Sequence, residues 1–257
     1  MMFPRVETSG LFLVYVATVL GSSLFLLFAG GWQRLRGLLQ LSPSRETFSL
    51  NVGLGPMVVA ISFLASAALM APALVPGAGL AAGLLLASLS GTRPGQLWGL
   101  RHEFQDLVQS LRLLLTLLWP VLFLLLLSSG LYLALGLPLE PQPALLKFLE
   151  AENLGEVAPF LAYACVLAPV WEEIFFRGTL FPWLSSRMPV SQAQWLSAIA
   201  FGAIHLHGPT FIPLTVFGAL LAGIYRSSGS LIPAILVHSM FNANTCILLL
   251  LGKPSTP

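Results

Sequence analysis

Apolar residues gather into runs long enough to cross a bilayer near residues 11–30, 54–71, 112–136, 159–182, 192–207, 209–226 and 231–251. A shorter run at 77–90 is set off from its predecessor by Pro72 and Pro76. A spanning helix needs about 20 apolar residues, and the pattern predicts about eight transmembrane helices in a single domain covering residues 1–257, an all-α polytopic membrane bundle. The 77–90 run falls short of that length, but its Gly79 and Gly83 are four apart and predict close backbone approach to a neighbouring helix. The run at 11–30 is preceded by both Arg5 and Glu7, which favours a spanning helix over a cleaved signal peptide.

Two polar connections read as interfacial helices. Residues 98–112 mix Leu100, Phe104, Leu107, Val108 and Leu111 with Arg101, His102, Glu103, Gln105 and Asp106. Residues 143–157 mix Leu145, Leu146, Phe148 and Leu149 with Lys147, Glu150, Glu152 and Glu156. One apolar and one wet face suits the headgroup region.

Composition agrees with a membrane solvent. Of 257 residues 56% are hydrophobic and 9% charged, against about 25% charged in a soluble domain. The formal net charge of +2 and the lack of a Lys/Arg-rich run exclude a nucleic-acid partner and leave the lipid bilayer as the medium. With eight spans, Arg34, Arg36, Arg45, Arg93, Arg101, Arg112, Arg187 and Arg226 fall on one side, and Arg5, Lys147 and Lys253 on the other. The positive-inside rule then places both termini outside the cytoplasm. Cys165 and Cys246 sit in apolar helices without CxxC spacing and read as buried packing residues.

Against this background Trp171-Glu172-Glu173-Ile174-Phe175-Phe176-Arg177 is anomalous, with three ionisable residues inside an apolar segment. A charge near the bilayer centre costs on the order of 3 kcal/mol, so such residues face a protein interior and serve a purpose. Positions four apart share a helix face, so Glu173 can pair with Arg177, while Glu172 points about 100° away and stays available. Two further segments add polar groups: Phe201-x-x-x-His205, followed by His207, and His238-x-x-x-Asn242. His238 and Asn242 share a face and can address one site. His205 and His207, two apart, diverge by about 200° on a helix, and His207 next to Gly208-Pro209 is the weaker candidate. A carboxylate beside two imidazoles can take a proton from water, pass it to a leaving group and hold an oxyanion. The same Glu172, His205 and His238 are also suited to a divalent metal such as zinc. There is no HExxH and no GxSxG.

Glu172-Glu173-x-x-x-Arg177, Phe201-x-x-x-His205 and His238-x-x-x-Asn242, in that order, resemble the three signature motifs of the CAAX protease and bacteriocin-processing (CPBP) family of intramembrane proteases. The resemblance covers residues 159–251; the first half of the chain matches only in being helical and hydrophobic. It implies an intramembrane endopeptidase that hydrolyses a peptide bond of a membrane-associated or lipid-anchored protein. Glu172 would be the general base, assisted by His205. His238 and Asn242 would hold the oxyanion and position the peptide carbonyl, Glu173 would be structural under Arg177, and Phe201 would shape the pocket. Both a metallo- and a glutamate-type mechanism stay open. In a bacterial source the location would be the inner membrane and a prenylated substrate would give way to another membrane peptide or protein. Two other classes fit the polar cluster: a non-proteolytic membrane partner or immunity-type protein on the same scaffold, and a proton-coupled transporter. The absence of repeat symmetry weighs against the transporter.

Overall fold

The computed structural model describes residues 10–39, 50, 52–70, 74–91, 93, 95, 98–100, 104–140, 143–151 and 153–251. The described residues are mostly helical, with no strand among them, and the protein is a polytopic membrane bundle. Five stretches are long and apolar enough to cross a membrane: Leu13–Leu39, Val108–Ala134, Gly155–Ser185, Gly208–Ser228 and Leu231–Leu251. The apolar runs near 54 and 77 form shorter helices.

Helix α1 (Gly10–Leu26) is followed by a kinked turn, Leu27–Gly31, where Gly30 adopts φ 97°, a value glycine reaches without a Cβ clash. The turn leads into α2 (Trp32–Leu39), whose Leu35 and Leu38 are buried. The apolar run at 11–30 thus ends in a break, and Arg34 and Arg36 ride on a separate amphipathic helix. Helices α3 (Leu54–Met70) and α4 (Val75–Leu89) pack on each other. Helix α5 (Phe104–Ala134) runs unbroken through Arg112, so the interfacial segment expected over 98–112 is instead, from Phe104 on, the first turns of a long helix. Trp119 Nε1 of α5 donates to the Leu20 carbonyl of α1 at 2.8 Å, and the Ser23 hydroxyl donates to the Leu115 carbonyl.

The second expected interfacial segment, 143–157, divides. Helix α6 (Pro143–Glu150) stays short, and α7 (Leu154–Ala162) starts anew under an Asn153 cap, whose side-chain oxygen accepts from Glu156 N at 3.2 Å. The cap starts the site-bearing helix earlier than the apolar run at 159 suggests. From there the chain continues through a π turn (Tyr163–Leu167), α8 (Ala168–Phe175), a second π turn (Phe176–Leu180) and α9 (Phe181–Ser185). Helices α10 (Val190–Ala203), α11 (Gly208–Ser228) and α12 (Leu231–Leu251) complete the bundle.

The glycine pair of α4 has its expected close neighbour, and that neighbour is α8. A Cβ on Gly79 would lie 2.6 Å from the Trp171 ring, and one on Gly83 would lie 3.0 Å from Ile174 Cγ2. Helix α4 is thereby pressed against the stretch that carries Glu172 and Glu173. On the other side Gln194 of α10 donates from one amide nitrogen to the Leu38 carbonyl of α2 at 3.0 Å and to the Ala219 carbonyl of α11 at 2.8 Å. Of the basic residues used for orientation, Arg5, Arg45, Arg101 and Lys253 lie outside the described residues. Cys246 is buried and Cys165 half-buried, and both are free thiols.

Candidate active site

The two adjacent acids have opposite surroundings. Glu173 is fully buried; its Oε1 accepts from Arg177 Nη1 at 2.7 Å and from His238 Nδ1 at 2.9 Å. Arg177, also fully buried, donates its other terminal nitrogen to the Gly218 carbonyl of α11 at 3.0 Å and lies 4.4 Å over the Phe201 ring. One salt bridge therefore joins α8, α11 and α12, and the pairing read from the four-residue spacing is present. Glu172 is buried as well and takes no hydrogen bond from Arg177 or His238; its Oε2, like that of Glu173, has no partner. Its neighbour is His238 Nε2 at 3.7 Å, within ion-pair reach but beyond a hydrogen bond.

Hydrogen-bond valence fixes the histidine tautomers. A carboxylate paired with Arg177 only accepts, so His238 Nδ1 carries a proton and its Nε2 turns toward Glu172. His205 Nδ1 sits 2.9 Å from the Phe201 carbonyl, which also only accepts, so His205 too is protonated at Nδ1. In each imidazole Nε2 is then left without a proton. The fully buried Phe201 ring makes edge-to-face contacts with both, at centroid distances of 5.0 Å to His205 and 5.7 Å to His238. Phe217 also meets the His238 ring edge-to-face, at 5.6 Å.

His205 does not lie in a helix. Helix α10 stops at Ala203, and the connection to α11 carries Leu206 at φ 49°, in the left-handed region. The divergence of His205 and His207 is real, but it arises from this turn and not from helical phase. His207 faces away, with Nδ1 at 2.9 Å from Thr210 Oγ1 and Nε2 at 2.8 Å from the Glu140 carbonyl.

Asn242 is placed differently from His238. Its Nδ2 donates to the Ala164 carbonyl at 2.8 Å, in the first π turn. A step of four residues rises about 6 Å along the axis, so the two side chains of α12 meet the same helix at different heights. Sequence spacing does not point to the Ala164 carbonyl or to Thr215, whose buried hydroxyl has no partner and would lie 2.5 Å from a Cβ on Gly202. The prolines at 169 and 182, each just past a π turn, were the available signal for the irregular backbone.

The donor chemistry of Glu172, His205 and His238 suits a divalent metal, and both imidazoles have the Nδ1–H···O support common behind metal-bound histidines. Among the described residues, however, no three His, Cys, Asp or Glu side chains come together as a metal-holding group.

Residues 154–244 match the family model described as Rce1-like, type II CAAX prenyl endopeptidase Rce1-like. The matched segment opens at the first residue of α7 and takes in Glu172, Glu173, Arg177, Phe201, His205, His238 and Asn242. No curated protein and no solved structure matches the chain.

Proposed function

We propose a reaction for a membrane protein that belongs, through residues 154–244, to the Rce1-like CAAX prenyl endopeptidases: hydrolysis of a peptide bond in a membrane-associated or lipid-anchored protein, with Glu172 as general base. The observation that supports this reading is the difference between the two acids. Glu173 Oε1 takes hydrogen bonds from Arg177 and His238, whereas Glu172 takes none and stands 3.7 Å from His238 Nε2; the Oε2 of each acid is buried without a partner.

A water between Glu172 and the scissile carbonyl gives its proton to the Glu172 carboxylate as its oxygen attacks the carbonyl carbon. The negative charge formed on the carbonyl oxygen is met by Asn242 and, once its Nε2 also carries a proton, by His238. One Asn242 Nδ2 hydrogen is committed to Ala164, which leaves the second for the oxyanion. Collapse of the intermediate breaks the C–N bond, and the proton held by Glu172 passes to the leaving amine. His205, held by the Phe201 carbonyl, offers Nε2 as a second proton acceptor. Preorganised donors and a positioned base each contribute about 10²–10³-fold in such reactions. A divalent metal, if bound by Glu172 and the two histidines, would supply Lewis-acid activation of the same water.

The test is cleavage of a panel of membrane-anchored peptides, prenylated CAAX-type peptides among them, by detergent-purified protein in ¹⁸O-labelled water. The reading expects one ¹⁸O atom in the new carboxylate and loss of cleavage in Glu172→Gln. Chelator and metal add-back arms separate the two mechanisms. Cleavage retained by Glu172→Gln would overturn the assignment. Absence of cleavage across the panel would move the balance to a non-proteolytic membrane partner.

A further inference from the structure

The first π turn leaves one backbone carbonyl without a helical donor. In an α-helix the Ala164 carbonyl would receive the N–H of residue 168, and in a π turn that of residue 169. Here the Ala168 N–H goes to the Tyr163 carbonyl, and residue 169 is proline, which has no N–H. The acceptor is filled from another helix, by Asn242 Nδ2 at 2.8 Å. In a membrane-spanning segment such a group is costly when bare, so the proline, the carbonyl and the asparagine form one unit.

That unit lies directly before Glu172. A π turn holds one residue more than an α turn, which offsets everything after it by about 100° relative to an unbroken α-helix. The offset decides which side chains of α8 face α12. As built, Glu173 reaches His238 Nδ1 at 2.9 Å and Glu172 lies 3.7 Å from His238 Nε2. On the same pair of helices Asn242 binds Ala164, two turns before Glu172.

We propose that Pro169 and Asn242 are positioning residues: Pro169 keeps the Tyr163–Leu167 turn open, Asn242 satisfies the Ala164 carbonyl it exposes, and together they set the phase at which Glu172 and Glu173 meet His238. The functional weight of this device rests on the proposed role of Glu172, but its structural content is measurable without any substrate.

The experiment is a mutant cycle with two readouts on the full chain in detergent: thermal denaturation and the ¹⁵N imidazole resonances of His238. Asn242→Ala should lower Tm by about 4–8 °C, because it bares the carbonyl. In a Pro169→Ala background the new N–H can fill that need, and the cost of Asn242→Ala should fall below about 2 °C. Pro169→Ala alone keeps the fold, since alanine suits a helix interior. Both single variants should move His238 away from its Nδ1-protonated pattern, although neither replaces His238 or an acid. If Asn242→Ala fails to fold, the double variant should recover it. An equal Tm cost of Asn242→Ala in both backgrounds, or His238 resonances unmoved in either single variant, overturns the proposal. So does failure of both the Asn242→Ala and the double variant to fold. Loss of peptide cleavage is not a readout here, so a wrong assignment of the reaction and a wrong assignment of this device give different results.

Discussion

Arg177 Nη1 and Glu173 Oε1 lie 2.7 Å apart with both side chains fully buried. An ion pair in such a place is weak evidence for stability, because desolvation offsets the attraction, but removing one partner strands the other. The pair also makes contacts beyond itself, from Arg177 to the Gly218 carbonyl and from Glu173 to His238. Arg177→Met should therefore cost about 3–5 kcal/mol of stability. Arg177→Met combined with Glu173→Gln should recover part of the loss. Chemical denaturation in detergent measures both, and a purely additive double variant would show that the pair is not coupled.

The approach of α4 to α8 has no room to spare. With Trp171 2.6 Å from where a Gly79 Cβ would stand, Gly79→Val should cost about 1–3 kcal/mol and displace the turn that carries Glu172. Gly77, where an added Cβ meets nothing within 4 Å, is the control on the same helix. Gly77→Ala should leave both Tm and activity near wild type.

His205 is held through its Nδ1 at the Phe201 carbonyl. If its Nε2 takes part in proton transfer, His205→Ala should lower kcat about 10²-fold with little change in Tm. His207→Ala should leave kcat near wild type, since that imidazole is bound to Thr210 and the Glu140 carbonyl. Steady-state kinetics on a cleaved peptide distinguish the two.

The start of the site helix rests on one side chain. Asn153→Ala removes the cap on the Glu156 N–H and should cost about 1 kcal/mol, read as a small fall in Tm.

Much of this was legible in the chain itself, because a bilayer leaves few solutions for an apolar run. The long spans at 112–136, 209–226 and 231–251 needed hydropathy alone. The Glu173–Arg177 pair and the solitary Glu172 followed from helical spacing, since both acids and the arginine fall within two turns. What stayed hidden came from local breaks in that spacing. The α1 run ends where Gly30 takes positive φ, α10 stops before His205, and the π turns around α8 alter the phase. Asn242 was read as a companion of His238 in one site because i and i+4 share a face. The shared face is there, but the rise between them and the carbonyl bared at Ala164 give Asn242 a partner of its own. A backbone acceptor has no letter in the sequence; only Pro169, two residues from the end of the π turn, hinted at it.

On the proposed reaction, two neighbouring acids divide the work, Glu172 for chemistry and Glu173 for structure. Glu172→Gln and Glu173→Gln, compared side by side for peptide cleavage and for Tm, test this most directly. Glu172→Gln should lose at least about 10²-fold in kcat with Tm unchanged. Glu173→Gln should lower Tm by several degrees, because it leaves Arg177 buried without its counter-charge. Cleavage retained by Glu172→Gln, or a Glu173→Gln protein as stable as wild type, would contradict the division.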